Sequence, residues 1–449
     1  CWSNNCFSIV MRIFVHYFIL FIAVSLQAQG SISGNFSPAK DFKWLIAYEL
    51  TPNGEQYTAD TAVKEGSFRL EMPKTAQAGM YRLVYAVPQD EFYIDVIYDK
   101  KEQVKFNFDL KNGLTIVNSL ENKWYNEYFS RITVAQDKLL EYYENGNDSL
   151  KEYTAILNEL KTIQTSYEAN HSGTIAHKFI KANKSYIPKG FENLDTFLKL
   201  KKEHHFDNLN INEPILQGSN FLTDKFASYV FSALPTDIST QEQLEMEVNK
   251  NVKTTADKIK TTPAGFQIKA FHELWKIADV NSMAAVQDYI FKNYLKKLAV
   301  ANGNQKLVND IEMASRLRIG AVSPDITWEV KEKKHSLLTM EEADNYLLIF
   351  WSSTCSHCLK ELPELHKELQ NFDNLTVVAV GLEDDEFNWK KVSATLPNFN
   401  HAIALGKWES DYAKTFGIQS TPTYFILDDQ KHFLAKPESD KEVIEFLEN

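Results

Sequence analysis

Two cysteines with two residues between them, Cys355-Ser356-His357-Cys358, are the part of this sequence best suited to chemistry. A thiol at the start of a helix faces unpaired backbone N–H groups and the positive end of the helix dipole, and both favour thiolate over thiol. The flanking residues supply that setting. Leu347-Leu348-Ile349-Phe350 reads as a buried strand, and Ser356 to Gln370 reads as an amphipathic helix with Leu359, Leu362, Leu365 and Leu369 turned inward. Cys355 at this junction is expected to ionise below the free thiol value of ~8.5. Cys358, one turn on, is near enough to close a small ring and is expected to be the more buried sulfur. One sulfur attacks and the other resolves.

His357, between the cysteines, can donate a hydrogen bond or lend charge to the thiolate, which stabilises the reduced form and raises the reduction potential. The alternative is a solvent-facing imidazole of little effect, because His titrates near neutrality. A zinc site needs four ligands, and no second close-spaced cysteine pair exists to complete one. A purely structural disulfide is disfavoured because so short a loop removes little chain entropy. Redox exchange is the reading that remains.

The rest of the composition narrows the field. With 60 acidic against 48 basic side chains and a net charge of -12, the chain lacks the cationic excess that nucleic-acid binding draws on. Residues 1–29 read as a signal peptide, either cleaved after Ala28 or kept as a membrane anchor: Arg12, an apolar run from Ile13 to Leu26, then Ala28 before a polar change. Met11 stands where such a peptide would start, so residues 1–10 read as an upstream extension of the reading frame. Cys1 and Cys6 fall in this segment, leaving Cys355 and Cys358 for the mature chain. A single close pair, rather than several pairs spread through loops, points to redox work outside the cytoplasm, in a periplasm or cell envelope.

Three regions position the motif. Residues 30–115 hold short alternating runs, including Trp44-Leu45-Ile46-Ala47-Tyr48 and Val104-Lys105-Phe106-Asn107-Phe108, and predict an all-β sandwich. Residues 120–315 turn to charged segments of helical period and predict a mostly α-helical region. His204 and His205 there read as a solvated helix end rather than a metal site. Residues 320–449 alternate strand and helix, which predicts an α/β domain with helices on both faces of a central sheet. Its elements are strands at Ile326–Val330, Tyr346–Trp351, Leu375–Val380 and His401–Leu405, and helices at Ser356–Gln370, Asp385–Leu396 and Trp408–Phe416. A hairpin over Thr423–Leu434 and a last helix at Asp440–Leu447 complete it.

Phe350-Trp351-Ser352-Ser353-Thr354-Cys355-Ser356-His357-Cys358, then Pro363, then Ser420-Thr421-Pro422-Thr423 before a strand, resemble the thioredoxin superfamily. Within it, residues 320–449 are similar to the TlpA-like thiol-disulfide oxidoreductases of the bacterial envelope. Through Phe206-Asp207-Asn208-Leu209-Asn210-Ile211-Asn212-Glu213-Pro214 above all, the β and helical regions resemble the N-terminal portions of Bacteroidota envelope proteins that end in a thioredoxin domain. The resemblance implies that Cys355 is the nucleophile, that Cys358 resolves, and that Pro422 follows a cis bond. It also implies an acidic residue after the strand that ends near Val380. Glu383 or Asp384 fits and would accept the Cys358 proton; a solvated acidic loop, with Asp385 and Glu386, is the alternative. Independently, a cis X-Pro bond allows a tight turn that brings backbone near the sulfurs, and the Thr421 backbone could then pair with an extended substrate strand. Trp351, Thr354, Thr421 and Pro422 are thus the candidate substrate-facing residues. Thr354 departs from the family, which commonly has Trp there, and removes an aromatic lid.

The expected activity is thiol-disulfide exchange on disulfides of exported proteins, with no metal or cofactor and with a second redox protein to recharge the pair. Two alternatives stay open: a disulfide oxidase or isomerase, and an envelope binding protein that carries the thioredoxin module passively.

Overall fold

The computed structural model describes residues 30–341 and 343–449. The signal segment expected over residues 1–29, with Cys1 and Cys6, lies outside the described residues. The chain divides into two compact units, one ending at Leu298 and the other beginning at Ala299.

The first unit opens with eight strands: β1 (Ser31–Ser37), β2 (Trp44–Thr51), β3 (Gly54–Ala62), β4 (Ser67–Glu71), β5 (Gly79–Val84), β6 (Tyr93–Tyr98), β7 (Val104–Asp109) and β8 (Gly113–Asn118). They form two four-stranded sheets of order β4-β1-β7-β8 and β3-β2-β5-β6. Alternation decides which side chains meet: Ile32, Phe36, Leu45, Leu83, Val104 and Phe106 are buried between the sheets. Helices follow at α1 (Leu120–Glu144), α2 (Leu150–Asn170), α3 (Ile175–Ala182), α4 (Leu194–Glu203), α5 (Pro214–Gly218), α6 (Phe221–Ser232), α7 (Gln241–Ile259), α8 (Ala264–Val280) and α9 (Ala284–Ile290). The last continues through a π-turn at Phe291–Leu295 into α10 (Lys296–Ala301). Asn122 on α1 ties helices to sheet: its amide accepts from the Ile97 N–H and donates to the Ile97 carbonyl, both at 2.7 Å. Both backbone groups of an edge-strand residue are satisfied in this way. His205 is half-buried against the Lys225 carbonyl, with its ring Nε2 at 3.0 Å, whereas His204 is exposed beside Asp207.

The second unit includes α11 (Gln305–Leu317), a hairpin of β9 (Thr327–Val330) and β10 (Lys333–Ser336), and then β11 (Asn345–Trp351), α12 (Ser356–Leu369), β12 (Leu375–Glu383), α13 (Glu386–Ser393), β13 (Asn400–Leu405), α14 (Asp411–Thr415), β14 (Thr423–Asp428), β15 (Phe433–Ala435) and α15 (Asp440–Glu448). The five-stranded sheet has order β13-β12-β11-β14-β15, with β11, β12 and β13 parallel and β14 antiparallel to β11. β11 and β12 lie inside the sheet and are covered on both faces, which is why their apolar runs are nearly continuous. One face packs Leu348, Phe350 and Val380; the other packs Leu347, Ile349 and the inward face of α12. Met313 of α11 presses on Gly417, where an added Cβ would stand 2.5 Å from the Met313 sulfur, so α11 packs closely in this unit.

Four expectations are corrected. β10 has no counterpart in the sequence reading, because its turn is made by Lys331 and Glu332 at φ 50° and 65° rather than by the usual Gly or Asn. The helix expected over Trp408–Phe416 is a 3₁₀ turn at Lys407–Glu409 followed by α14. Ser410, at ψ 153°, interrupts it, and its hydroxyl caps the Ala413 N–H at 3.3 Å. β12 runs on to Glu383 instead of ending near Val380. Leu359 is exposed, because Cys358 holds the inward position one turn before Leu362 and places Leu359 about 100° away around the helix.

Candidate functional site

Strand register brings the motif and the proline bend together. β11 ends at Trp351, just before the cysteine turn, and its Phe350 pairs with Thr423 at the start of β14. The antiparallel pairing therefore delivers Thr421 and Pro422 to the end of β11 at which the cysteines sit. The Thr421–Pro422 bond is cis. The Cys355 thiol lies 3.3 Å from the Thr421 carbonyl oxygen, to which it can donate.

Cys355 is the N-cap of α12. Its sulfur accepts from the Cys358 backbone N–H at 3.3 Å, and its own N–H donates to the Ser352 carbonyl at 3.1 Å. The two sulfurs differ in exposure: Cys355 is half-buried, and Cys358 is 0% exposed. Burial by itself would raise the Cys355 pKa. Hydrogen bonds from the Cys358 thiol, the Thr421 side chain and the backbone N–H groups of Cys358 and His357 outweigh it and hold Cys355 below the ordinary thiol value. At Cys358 burial dominates, the neighbouring sulfur adds to it, and the thiol is pushed up to about 12. The pair is therefore asymmetric: an accessible sulfur that ionises readily and an enclosed one that keeps its proton.

The structure brings Cys355, Cys358, Thr421 and Pro422 together and distributes the remaining candidates. Glu383, 2% exposed, lies beneath the cysteine turn, where its carboxylate accepts from the Ser353 backbone N–H. Asp384 points outward and pairs with Lys407 at 2.7 Å. Thr354 is exposed at the rim, its hydroxyl 3.0 Å from that of Ser352. His357 is exposed, and what it supplies to the Cys355 sulfur is its backbone N–H. Trp351 corrects its assignment as a substrate-facing residue: it is 0% exposed, because the last position of β11 faces the core side that also holds Cys358. Among the described residues, no group of three or more His, Cys, Asp or Glu gathers as a metal site, and no helix is long and apolar enough to cross a membrane.

Two further residues belong to the site. Glu361 is half-buried one helical turn after Cys358, on the same side of α12. Tyr424, two residues past Pro422, is 1% exposed in the cluster that contains Cys358. The spacing from Cys358 to Glu361 was available in the sequence. Tyr424 carried no local signal, since a tyrosine in a strand is ordinary.

Comparison with known proteins agrees with this geometry. A family described as thioredoxin-like matches residues 344–433. The thioredoxin-like protein YneN of Bacillus subtilis is 27% identical over 112 residues, which are 25% of this chain and 66% of that protein, so the match spans just under two thirds of the relative. Among solved structures, the thioredoxin domain of a thiol-disulfide oxidoreductase from Bacteroides vulgatus is 27% identical, with 29% of this chain and 96% of that one covered and a TM-score of 0.27. A thioredoxin-like protein from Bacteroides caccae is 16% identical and covers 59% of this chain and 96% of its own, with a TM-score of 0.34. The C-terminal part of the chain is a thioredoxin-like domain. It follows a β region and a helical region in the same chain.

Proposed function

We propose that the protein is a thiol-disulfide oxidoreductase that reduces disulfides of exported proteins in the periplasm or cell envelope. The observation that carries this reading is the asymmetry of the pair: Cys355 is accessible, has a lowered pKa and lies 3.3 Å from the Thr421 carbonyl, while Cys358 is enclosed and protonated. Cys355 thiolate attacks one sulfur of a substrate disulfide, which breaks that bond, forms a mixed disulfide and releases the first substrate thiol. Cys358 then attacks the Cys355 sulfur, closes the ring and releases the second. Two electrons pass from the cysteine pair to the substrate, and a separate redox protein returns them.

The backbone at Thr421 and the exposed Thr354 form the surface that an extended substrate strand would meet. Glu383 fixes the Ser353 backbone, and with it the turn that presents Cys355. Insulin-disulfide reduction with dithiothreitol as donor tests the reading: the wild-type chain should accelerate it and Cys355→Ser should not. Retained acceleration in that variant would exclude the mechanism.

A further inference from the structure

Alternation gives β5 and β6 a second face. Tyr81, Leu83, Ile94 and Val96 turn into the sandwich core, so Met80, Arg82, Tyr93, Asp95 and Ile97 turn the other way. Two helices cover that second face with residues at helical spacing: Tyr125 and Phe129 of α1, and Phe221, Asp224, Lys225 and Ser228 of α6. Between sheet and helices lies a cleft of about 430 Å³, to which Met80, Ile97, Phe129 and Phe221 give an apolar lining. Small-molecule sites are typically ~300–1,000 Å³. The charges that line it are of two kinds. Asp95 is already held by both guanidinium contacts of Arg82, which lies 3.7 Å above the Tyr93 ring. Asp224 and Lys225 are different: among the described residues neither side chain makes a hydrogen bond or an ion pair, and they do not pair with each other. The Lys225 ammonium stands 5.6 Å from the centre of the Phe221 ring. Burial is the largest influence on both, raising the Asp224 pKa and, with the Lys201 charge, pushing Lys225 down to about 8. Each charge is thus partly desolvated with no partner, a cost that a ligand of complementary charge would offset.

We propose that this cleft binds a small zwitterion with an apolar side chain, an α-amino acid or a short peptide, with its ammonium group on Asp224 and its carboxylate on Lys225. A ligand with one charge fits less well: a cation would meet Lys225, and an anion would meet Asp224 and Asp95. A zwitterion answers both groups, and its side chain covers the apolar lining. Tyr125 sits at the carboxylate side of the cleft, since Asp95 and Asp224 both oppose its ionisation. Its hydroxyl has no hydrogen-bond partner among the described residues and can accept from the ammonium group that Asp224 draws in. Lys269, the other cation near Asp224, is held at 2.9 and 3.1 Å by the carbonyls of Gly218 and Ser219.

The test is isothermal titration calorimetry of the full chain with L-phenylalanine and with the dipeptide phenylalanylphenylalanine. At least one should saturate a single site, and the tighter of the two tells whether an amino acid or a peptide is the ligand. The amide of that ligand, which lacks the carboxylate, and its N-acetyl form, which lacks the ammonium group, should each bind on the order of tenfold more weakly. In Asp224→Asn the zwitterion should lose about tenfold while the N-acetyl form binds as to wild type. In Lys225→Met the zwitterion should lose a similar factor while the amide is unaffected. Both variants should melt at or above the wild-type temperature, because the charge removed has no partner in the empty cleft. Absence of saturable binding by either zwitterion overturns the inference. So do amide or N-acetyl forms that bind as tightly, variants that bind like wild type, and a variant that is destabilised or unfolded, which would make the charge structural.

Discussion

The Arg82 cluster of the first compact unit and the cysteine turn of the second use buried polar groups in opposite ways. In the first, charges are collected and cancelled: the Arg82 guanidinium, 7% exposed, donates to both Asp95 oxygens at 3.0 and 2.9 Å and to Glu55 at 2.8 Å. Nearby, Tyr93, Asn122, Tyr125, Phe221, Asp224 and Lys225 line a cleft of about 430 Å³. In the second, polar groups at the cysteine turn are left unequal, with one sulfur stabilised as an anion and the other enclosed as a thiol. Cancelled charge stabilises a fold, whereas an imbalance held in place can drive a reaction. The Arg82 network of the first unit therefore reads as architecture, and the cysteine turn of the second as a rigid frame for one reactive pair.

The comparison can be broken by mutation. Cys358→Ser should lower multiple-turnover insulin reduction by about two orders of magnitude or more while leaving Cys355 open to alkylation, and a reducible mixed disulfide should accumulate. Full turnover in that variant would mean that the asymmetry is not functional. Arg82→Ala, which strands two carboxylates, should destabilise the first unit by about 2–3 kcal/mol in urea unfolding. That is below the cost for fully buried pairs because Glu55 and Asp95 are partly solvated. A loss of thiol exchange in the same variant would end the division of labour between the units.

Two pH experiments sharpen it. The rate of Cys355 alkylation should be low where the thiol is protonated and should rise through a midpoint below that of an ordinary thiol, because hydrogen bonds to the sulfur lower the folded pKa. The other experiment turns on His205, whose pKa burial and the Lys225 charge push down to about 4. The unfolded chain takes up this proton first, near ~6.5, so the stability contributed by neutral His205 is complete above that pH and is lost as pH falls from ~6.5 toward 4. His205→Gln should flatten the stability of the first unit across that window; an unchanged slope would place the titration elsewhere.

How much could be read beforehand depended on whether a feature is local in the chain. The sandwich strands, the helix behind Cys355 and the thiol pair were legible because alternation, helical period and two-residue spacing are visible within short windows. The hairpin turn at Lys331-Glu332 was not, because its residues adopt left-handed backbone without the composition that announces it. Trp351 was misplaced because the pleat, not residue type, decides which side of β11 each residue takes. The choice between Glu383 and Asp384 could not be made either. Adjacent residues at the end of a strand face opposite ways, and only the packed sheet shows which faces inward.

By itself the sequence determined that a thiol would stand at a helix N-terminus with a second thiol one turn behind it, since both follow from the order of residues in one strand-helix segment. Tertiary structure alone decided that the Thr421 carbonyl meets Cys355, that Glu383 fastens the turn and that the Tyr424 phenol lies in the Cys358 cluster. These partners come from strands far apart in the chain, and only the hydrogen-bond register of β11 with β14 and β12 sets which of their atoms touch.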